Sequence, residues 1–383
     1  MMSAVPEDTQ NSDRTFAPNA LSDRVMSVDV LRGFDMFWLI GGTGVALAVG
    51  RLCPPTVRDV IVPQCEHAVW EGFRFYDLIF PLFVFMVGMS LVFSLGKRLQ
   101  REGRWSAYQR LLRRAVLMFL MGIFYYGGLS NRWPDIRLLG VLQRLALCYL
   151  GGGVLFIHLK PKGLIAACVI LLLGYWAFLS FVPVPDTGAF SFAEGQNWAN
   201  YIDKKWLPGH KHNGDWDPEG LLSTLPAIGT CLLGVLAALL LGAEGLTPSR
   251  KVLCFIGGGA VMVVAGFLWG IQFPVIKKIW TSSYVLVAGG YSFMLLGAFY
   301  LIVDVWKLRR WALPLLWIGA NPLTIYMAKN IIDFNQLSER FVGGDIKAFA
   351  GERVGYLLCT LVSLSLTLAL VRFLYNRKIF LRI

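Results

Sequence analysis

The sequence predicts an all-α, polytopic integral membrane protein of about ten transmembrane helices, and three observations support this prediction. Of its 383 residues, 56% are hydrophobic and only 16% are charged, which is too apolar for a soluble enzyme of this length. The apolar residues form stretches of about 17–25 residues, the length that crosses ~30 Å of hydrocarbon. Lys and Arg are concentrated in the connections on one side of these stretches, as the positive-inside rule expects.

The first segment of the chain, residues 1–26, is polar and rich in Ser, Asp and Asn. It lacks the basic start and apolar core of a cleavable signal peptide. We therefore interpret the first apolar stretch as an uncleaved anchor, preceded by a polar cytoplasmic tail. The remaining residues, 27–383, are predicted to form a single transmembrane domain.

Ten apolar stretches are predicted to span the membrane. They lie near 28–49, 77–96, 115–130, 138–158, 163–182, 220–242, 252–273, 284–305, 313–333 and 354–375. The connection 97–114 carries seven Lys and Arg residues, and shorter basic connections recur on the same side, which marks that side as cytoplasmic. Ten crossings place both termini in the cytoplasm. The opposite side then holds the three longest loops, 50–76, 183–219 and 334–353.

Composition also excludes several classes of function. The net charge of +12 is explained by the positive-inside rule and by contact with anionic lipid headgroups, so nucleic acid is not an expected partner. The seven Cys residues show no spacing typical of a metal site, and we expect no metal. Cys53 and Cys65 share one non-cytoplasmic loop, where the sequence leaves open whether they form a disulfide.

Charged residues inside apolar spans are costly and are therefore functional candidates. In the first span, Asp29, Arg32 and Asp35 recur at i, i+3 and i+6, which groups them on one part of the helix surface. One interpretation is a structural ion network near the cytoplasmic end. The other is that Arg32 contacts an anionic cofactor.

Two further cations lie in the fourth and ninth spans. A buried guanidinium such as that of Arg144 needs a partner, and its fork of donors suits phosphate. The alternative is that Arg144 pairs with an inward carboxylate, Asp77 or Asp304. Lys329 is a second candidate for an anionic group, with snorkelling to the interface as its alternative.

His67 stands just before a span that begins with Asp77. A carboxylate at a helix N-terminus caps free amide groups and interacts favourably with the helix dipole. At such an aqueous mouth, a histidine could deprotonate an amine or carry an acyl group, or it could be an ordinary loop hydrogen-bonder. His210 and His212 fit solvated loop residues better than metal ligands.

Several short motifs in a fixed order resemble the heparan-α-glucosaminide N-acetyltransferase family and its bacterial relatives, a family of transmembrane acyltransferases. The motifs begin with Arg24-Val-Met-Ser-Val-Asp-Val-Leu-Arg-Gly33, His67-Ala-Val-Trp-Glu-Gly72 and Asp77-Leu-Ile-Phe-Pro-Leu-Phe-Val-Phe-Met-Val-Gly88. They continue with Gly140-Val-Leu-Gln-Arg-Leu145, Tyr201-Ile-Asp203, Asp217-Pro-Glu-Gly-Leu-Leu-Ser-Thr224, Trp280-Thr-Ser-Ser-Tyr-Val285, Asp304-Val305, Gly319-Ala-Asn-Pro322 and Arg377-Lys-Ile-Phe380. The resemblance covers nearly the whole chain.

This resemblance implies that residues 27–383 form one transmembrane acyltransferase domain in the bacterial cytoplasmic (inner) membrane. Acetyl-CoA would enter from the cytoplasm, and its acetyl group would reach the amine of a glucosamine-type sugar on the opposite face. A thioester is already activated, so no ATP site is needed.

The resemblance also implies roles for individual residues. His67 would be the catalytic histidine, Arg144 with Gln143 beside it would bind the phosphates of the cofactor, and Asp217 and Glu219 would lie near the acceptor sugar. The resemblance assigns no role to Lys329. From the residues alone we add Asp77 as a second catalytic residue, Arg32 and Lys329 as cofactor-binding cations, and Trp70 and Asn321 as contacts of the sugar.

Two other functions remain as alternatives. Many spans, intramembrane charges and helix-breaking prolines also suit a secondary transporter of amino sugars or oligosaccharides, which would not require coenzyme A. An O-acyltransferase acting on an envelope glycan would share the donor and the topology but would use a hydroxyl acceptor. A homodimer is left open.

Overall fold

The computed structural model describes residues 25–380, and these residues are helical apart from their connections. This confirms the predicted all-α class. The predicted polar tail, 1–26, lies outside the described residues except for its last two positions.

The helices follow one another without an intervening sheet in the described part of the chain. They are α1 (Met26–Phe37), α2 (Thr43–Leu52), α3 (Pro55–Gln64), α4 (Ile79–Tyr125), α5 (Val141–His158), α6 (Pro161–Phe181), α7 (Trp198–Trp206), α8 (Thr224–Leu241), α9 (Pro248–Gly270), α10 (Ser282–Phe299), α11 (Leu313–Ala320), α12 (Pro322–Ile331), α13 (Phe334–Val342), α14 (Asp345–Ala350) and α15 (Glu352–Asn376). Helix α4 is preceded by a 3₁₀ turn at Phe75–Leu78, and α1 continues into α2 through a π-helical turn at Trp38–Gly42.

Within residues 25–380, eight helices are long and apolar enough to cross a membrane. The protein is therefore an integral membrane protein, as predicted, although the count of ten spans is not confirmed. The spans predicted at 77–96 and 115–130 belong to one helical stretch, Phe75–Tyr125. The span predicted at 313–333 is broken into α11 and α12.

Helix α4 reverses direction at its middle and so forms two arms, 79–102 and 104–125. A straight helix of 47 residues would be ~70 Å long, far more than the ~30 Å of a bilayer core. Gly103 has φ = 80°, a left-handed conformation that glycine adopts without strain. Across this break the guanidinium of Arg98 donates to the hydroxyl of Ser106 at 2.7 Å, a contact that a continuous helix could not make over eight residues.

The break between α11 and α12 lies at Asn321, which precedes Pro322. Proline lacks an amide hydrogen, so it is well accommodated at the first position of the new helix. Glycines let α11 approach α1 closely, because a Cβ added at Gly33 or Gly319 would overlap a main-chain carbonyl of the other helix. Two of the sequence motifs, those ending in Gly33 and beginning with Gly319, therefore meet in the fold.

The centre of the bundle is formed by α4, α5, α8 and α10, which pack on one another. Within the most apolar 18 residues of each helix, 78% of the residues of α8 are buried, compared with only 22% of those of α9 and 28% of those of α6. Apolar side chains left exposed on a membrane-length helix are suited to lipid. Helices α6 and α9 thus lie at the periphery, and the loops that join the central helices enclose the site described next.

Candidate active site

A histidine–aspartate pair lies at the entrance to the helix bundle. The Nδ1 atom of His67 is 2.8 Å from Oδ1 of Asp77. The second oxygen of Asp77 accepts main-chain N–H groups from Ala68 and Arg74, each at 3.1 Å. A carboxylate held this way fixes the proton on Nδ1 of the ring. The Nε2 lone pair then remains available to remove a proton or to attack an acyl group.

Neighbouring groups hold both members of the pair in place. The His67 ring stacks on Tyr76, with ring centroids 4.7 Å apart and planes inclined at 28°. The hydroxyl of Tyr284 donates to the main-chain carbonyl of Asp77 at 2.8 Å. The His67 side chain is 52% exposed, whereas that of Asp77 is 1% exposed. The reactive ring therefore faces the entrance, while its partner is buried beneath it.

Lys277, which sequence reasoning did not single out, lies beside this pair. Its Nζ atom is 3.0 Å from Nδ1 and 3.4 Å from Nε2 of His67, and 3.4 Å from Oδ1 of Asp77. Lys277 and Lys278 occupy the loop between α9 and α10. The sequence places this loop on the predicted non-cytoplasmic side, where the positive-inside rule expects few cations, so two adjacent lysines there were an available signal.

A cavity of about 930 Å³ opens at His67. Polar residues surround one part of it: His67, Asn131, Asp135, Arg137, His210, His212, Asn213, Glu219, Lys277 and Lys278. Apolar and aromatic residues of the helices line much of the remainder, among them Met36, Leu39, Ile79, Phe80, Phe83, Tyr125, Leu142, Leu145, Leu323 and Tyr326. The cavity therefore has a polar mouth and an apolar interior, which suits a ligand with both kinds of surface.

A buried ion cluster forms one wall of the mouth. Arg137 donates to both oxygens of Asp217, at 2.7 and 2.8 Å, and to Glu219 at 2.7 Å. Its guanidinium also lies over the ring of Tyr126, 4.5 Å from the centroid. Sequence reasoning predicted Asp217 and Glu219 but missed Arg137, which immediately precedes the predicted fourth span. A bidentate Arg–carboxylate pair fixes the 217–219 turn against the segment that leads into α5.

Burial and neighbouring charges give the carboxylates of this wall different proton affinities. Burial raises the pKa of Glu219 to about 7 and that of Asp203 to about 6. Burial also acts on Asp217, but the hydrogen bond and charge of Arg137 outweigh it and lower the pKa of that carboxyl. The neighbouring carboxyls of Asp217 and Glu219 thus differ in charge near neutral pH, because Asp217 is ionised and Glu219 is partly protonated.

The Arg137→Gln variant should be strongly destabilised. Its side chain is only 9% exposed, and its removal leaves Asp217 and Glu219 buried without a cation. Breaking a buried pair in this way costs ~3–5 kcal/mol. The unfolding midpoint of the purified protein in detergent measures the effect, with the exposed Arg132→Gln as matched control. Equal midpoints for the two variants would contradict the buried ion cluster.

Stability should depend on pH through Glu219 and Asp203. Their pKa values are raised in the folded state from 4.5 to about 7 and from 3.8 to about 6, so the folded state holds these protons more tightly than the unfolded state. The stability they contribute is therefore present at low pH and is lost as pH rises toward 7. In Glu219→Gln, the upper part of this loss, between about pH 6 and 7, should disappear from unfolding midpoints recorded against pH. An unchanged profile in that variant would contradict the assignment.

Arg144 lies beside the cavity but contacts neither Asp77 nor Asp304, the two carboxylates considered as its partners. It donates to the main-chain carbonyl of Gly220 at 3.2 Å and contacts the hydroxyl of Ser223. Its guanidinium stacks on Trp280, 5.0 Å from the ring centroid. Among residues 25–380, its Nε and Nη1 atoms find no hydrogen-bond partner although the side chain is fully buried.

Two other predicted residues support the walls of the mouth. Gln143 is buried and donates to the main-chain carbonyl of Arg137 at 3.4 Å. Trp70 donates to the carbonyl of Phe192 at 3.0 Å and makes an edge-to-face contact with Trp216, with centroids 5.7 Å apart. Neither side chain lines the cavity. Both lie one layer behind residues that do.

The remaining predicted residues do not line the cavity. Arg32 pairs with Asp29 at 3.2 Å and approaches the carbonyl of Gly319, as the ion-network interpretation expects for those two residues. Lys329 donates to the carbonyl of Leu39 at 2.6 Å, within the π-helical turn. Asn321 is buried and donates to the carbonyl of Ile379 at 2.8 Å.

The two cysteines of the loop 50–76 are separate in the structure. Cys53 and Cys65 are both free thiols. Cys65 is buried, whereas Cys53 is partly exposed.

Comparison with known proteins adds a family relationship. A family model described as a domain of unknown function, DUF5009, matches residues 24–139. Heparan-alpha-glucosaminide N-acetyltransferase from Homo sapiens is 26% identical over 442 aligned positions, which cover 99% of this chain and 63% of that protein. The Mus musculus protein of the same name is 26% identical over 382 positions, covering 83% and 56%. The chain thus spans less than two thirds of either relative's length, and the matches confirm the resemblance that the motifs predict.

Proposed function

We propose, from the premise that this chain is a distant relative of the heparan-alpha-glucosaminide N-acetyltransferases, that it is a membrane-embedded N-acetyltransferase. Its donor is acetyl-CoA, and its acceptor is the amine of a glucosamine-type sugar. The observation that carries the proposal is the buried Asp77 carboxylate on Nδ1 of the exposed His67 ring, at the entrance to a cavity between membrane-length helices.

The geometry of His67 serves either of two routes. In the first, the Nε2 lone pair attacks the thioester carbonyl carbon and the C–S bond breaks. Acetyl-His67 forms and CoA leaves as the thiolate; the amine then takes the acetyl group, and the proton that the amine loses converts the thiolate to the thiol. In the second, Nε2 removes a proton from the amine as the amine attacks the thioester directly, and that proton passes to the departing thiolate. Both routes give one amide and one CoA thiol.

The cavity fits the thioester end of the donor. Its apolar interior suits the acetyl and pantetheine chain, while His67 lies where the cavity reaches solvent. Arg144 and Gln143 are proposed to orient polar groups of the donor near this mouth, and two guanidinium nitrogens of Arg144 have no partner among the described residues. Arg32 and Lys329 are proposed for the donor's charged end. Neither lines the cavity, although Lys329 bonds to the main chain of Leu39, which does.

The acceptor is proposed to enter at the polar mouth. Glu219 lines the mouth. Asp217 lies behind the lining residue Arg137, which pairs with both carboxylates. The Glu219 carboxyl can hydrogen-bond to hydroxyl or amine groups of the sugar. Trp70 and Asn321 are further proposed contacts of a larger acceptor, with Trp70 the nearer to the mouth.

Sidedness follows from the basic connections. We propose that the donor enters from the cytoplasm, that both termini lie there, and that His67 faces the opposite compartment of a bacterial inner membrane. The same basic connections would contact the anionic headgroups of membrane lipids.

Proteoliposomes test this function directly. With acetyl-labelled CoA and glucosamine, the wild-type protein should form labelled N-acetylglucosamine, and pre-acetylated sugar should give none. Product analysis distinguishes an amide from an ester, so ester formation would favour an O-acyltransferase. Sugar movement without any acyl donor, and without transfer, would favour a transporter and overturn the proposal.

A further inference from the structure

We propose that Lys277 is a further catalytic residue, whose ammonium group stabilises the negative charge that develops on the acyl oxygen when the thioester is attacked. The inference rests on the proposed acetyl transfer. It adds a residue that neither the sequence motifs nor the family relationship assigns.

The position of the ammonium group is the first argument. Nζ lies at similar distances from the two ring nitrogens of His67, 3.0 and 3.4 Å, so it sits beside the ring rather than in line with one nitrogen. An acyl carbon attacked at Nε2, or held there for an incoming amine, therefore has its oxygen within hydrogen-bonding reach of Nζ. A donor aimed at the developing oxyanion is the usual means of lowering this barrier.

The charge balance is the second argument. The Asp77 carboxylate, 1% exposed, lies 3.4 Å from Nζ and holds the ammonium group at the site, and Lys277 itself is only 17% exposed. Burial lowers the pKa of Lys277, and the charge of Asp77 offsets part of that effect. A cation with little water around it interacts strongly with a nearby anion. Lys277 therefore stabilises an oxyanion more strongly than a surface lysine would.

Lys277 takes part without gaining or losing a proton. As the nucleophile bonds to the carbonyl carbon, the π pair of the C=O bond moves to oxygen, next to Nζ. When the tetrahedral intermediate collapses, that pair re-forms the C=O bond and the C–S bond breaks, with its electrons leaving on sulfur. The same oxyanion forms whether His67 or the amine attacks, so the role of Lys277 holds for both routes.

A lysine-to-methionine change tests this role. Lys277→Met keeps much of the side chain but removes the charge, and kcat should fall about 10²–10³-fold, with donor affinity nearly unchanged. The matched control is Lys204→Met, on an exposed lysine that pairs with Asp215 at the surface. This control should keep wild-type kcat.

Chemical rescue separates catalysis from a structural role. Lys277→Cys should be as slow as Lys277→Met. Alkylation of the folded variant with 2-bromoethylamine restores an ammonium group at nearly the same place. The alkylated variant should reach at least about a tenth of the wild-type kcat, since one oxyanion donor has then been replaced. Wild-type protein treated with the same reagent controls for its own thiols, including the exposed Cys254.

Three outcomes are decisive. Loss of an oxyanion donor should lower kcat by about 10²–10³-fold. A kcat within about threefold of wild type in both variants would therefore overturn the inference while leaving the proposed acetyl transfer intact. A loss of rate that alkylation does not restore would also overturn it, since Lys277 would then only support Asp77. Wild-type protein that transfers no acetyl group to an amine would remove the proposed function, and the inference with it.

Discussion

Replacing His67 with alanine should lower kcat for acetyl transfer by at least about 10³-fold. The side chain is half-exposed, and its ring bonds to Asp77 and lies beside the ammonium group of Lys277, so its loss removes the reactive nitrogen while costing little stability. Donor affinity, measured by calorimetry on the detergent-solubilised protein, should stay close to wild type. Rate measured in proteoliposomes gives the catalytic effect.

The matched control is His158→Ala. His158 ends α5 beside Tyr108 and does not line the cavity, so the variant should keep wild-type turnover. Near-normal turnover in the His67 variant would remove this histidine from the mechanism. Incubation with labelled acetyl-CoA alone then distinguishes the routes, because only the acetyl-His67 route leaves label on the wild-type protein.

The second large effect is expected for Asp77→Asn, with kcat reduced by about 10²–10⁴-fold. Asparagine is nearly isosteric and can still accept the amide hydrogens of Ala68 and Arg74. It no longer carries the charge that fixes the proton on Nδ1, so the ring can present the wrong nitrogen to substrate. The ammonium group of Lys277 also loses its anionic partner.

Steady-state rates on folded protein measure this effect. Asp59→Asn is the matched control, because Asp59 lies nearby in the chain, on α3, but is 67% exposed and pairs with its neighbour Arg58. The control should leave kcat unchanged. An Asp77 variant with wild-type kcat would show that the hydrogen bond to His67 has no catalytic role.

The membrane character of the fold could be read from the sequence because it depends on local apolar length. The boundaries were less predictable. The basic segment 97–114 was expected to be a connection between spans, but the helix continues through it on both sides of Gly103. Charged residues can extend a helix beyond the bilayer, and hydropathy does not distinguish such an extension from a loop.

The site was predictable where its residues lie close together in the sequence. His67 and Asp77 are ten residues apart, and both were predicted to be catalytic from their place at the start of one span, although their contact at 2.8 Å was not predicted. Arg137 and Lys277 were missed because their partners come from other loops. Arg137 meets a carboxylate 80 residues away, and Lys277 meets a ring 210 residues away. Such contacts depend on which loops of the bundle meet, which span lengths alone do not specify.

The hairpin at Gly103 determines how the site is assembled during insertion. In the proposed topology the two arms of α4 each cross once, so the chain makes an even number of crossings between each successive pair of loops that carry His67, Arg137, Glu219 and Lys277. All four loops therefore emerge on one face. One missed crossing would leave the later residues in the other compartment. In the proposed topology the site is therefore complete only after α9 has crossed the bilayer, late in synthesis.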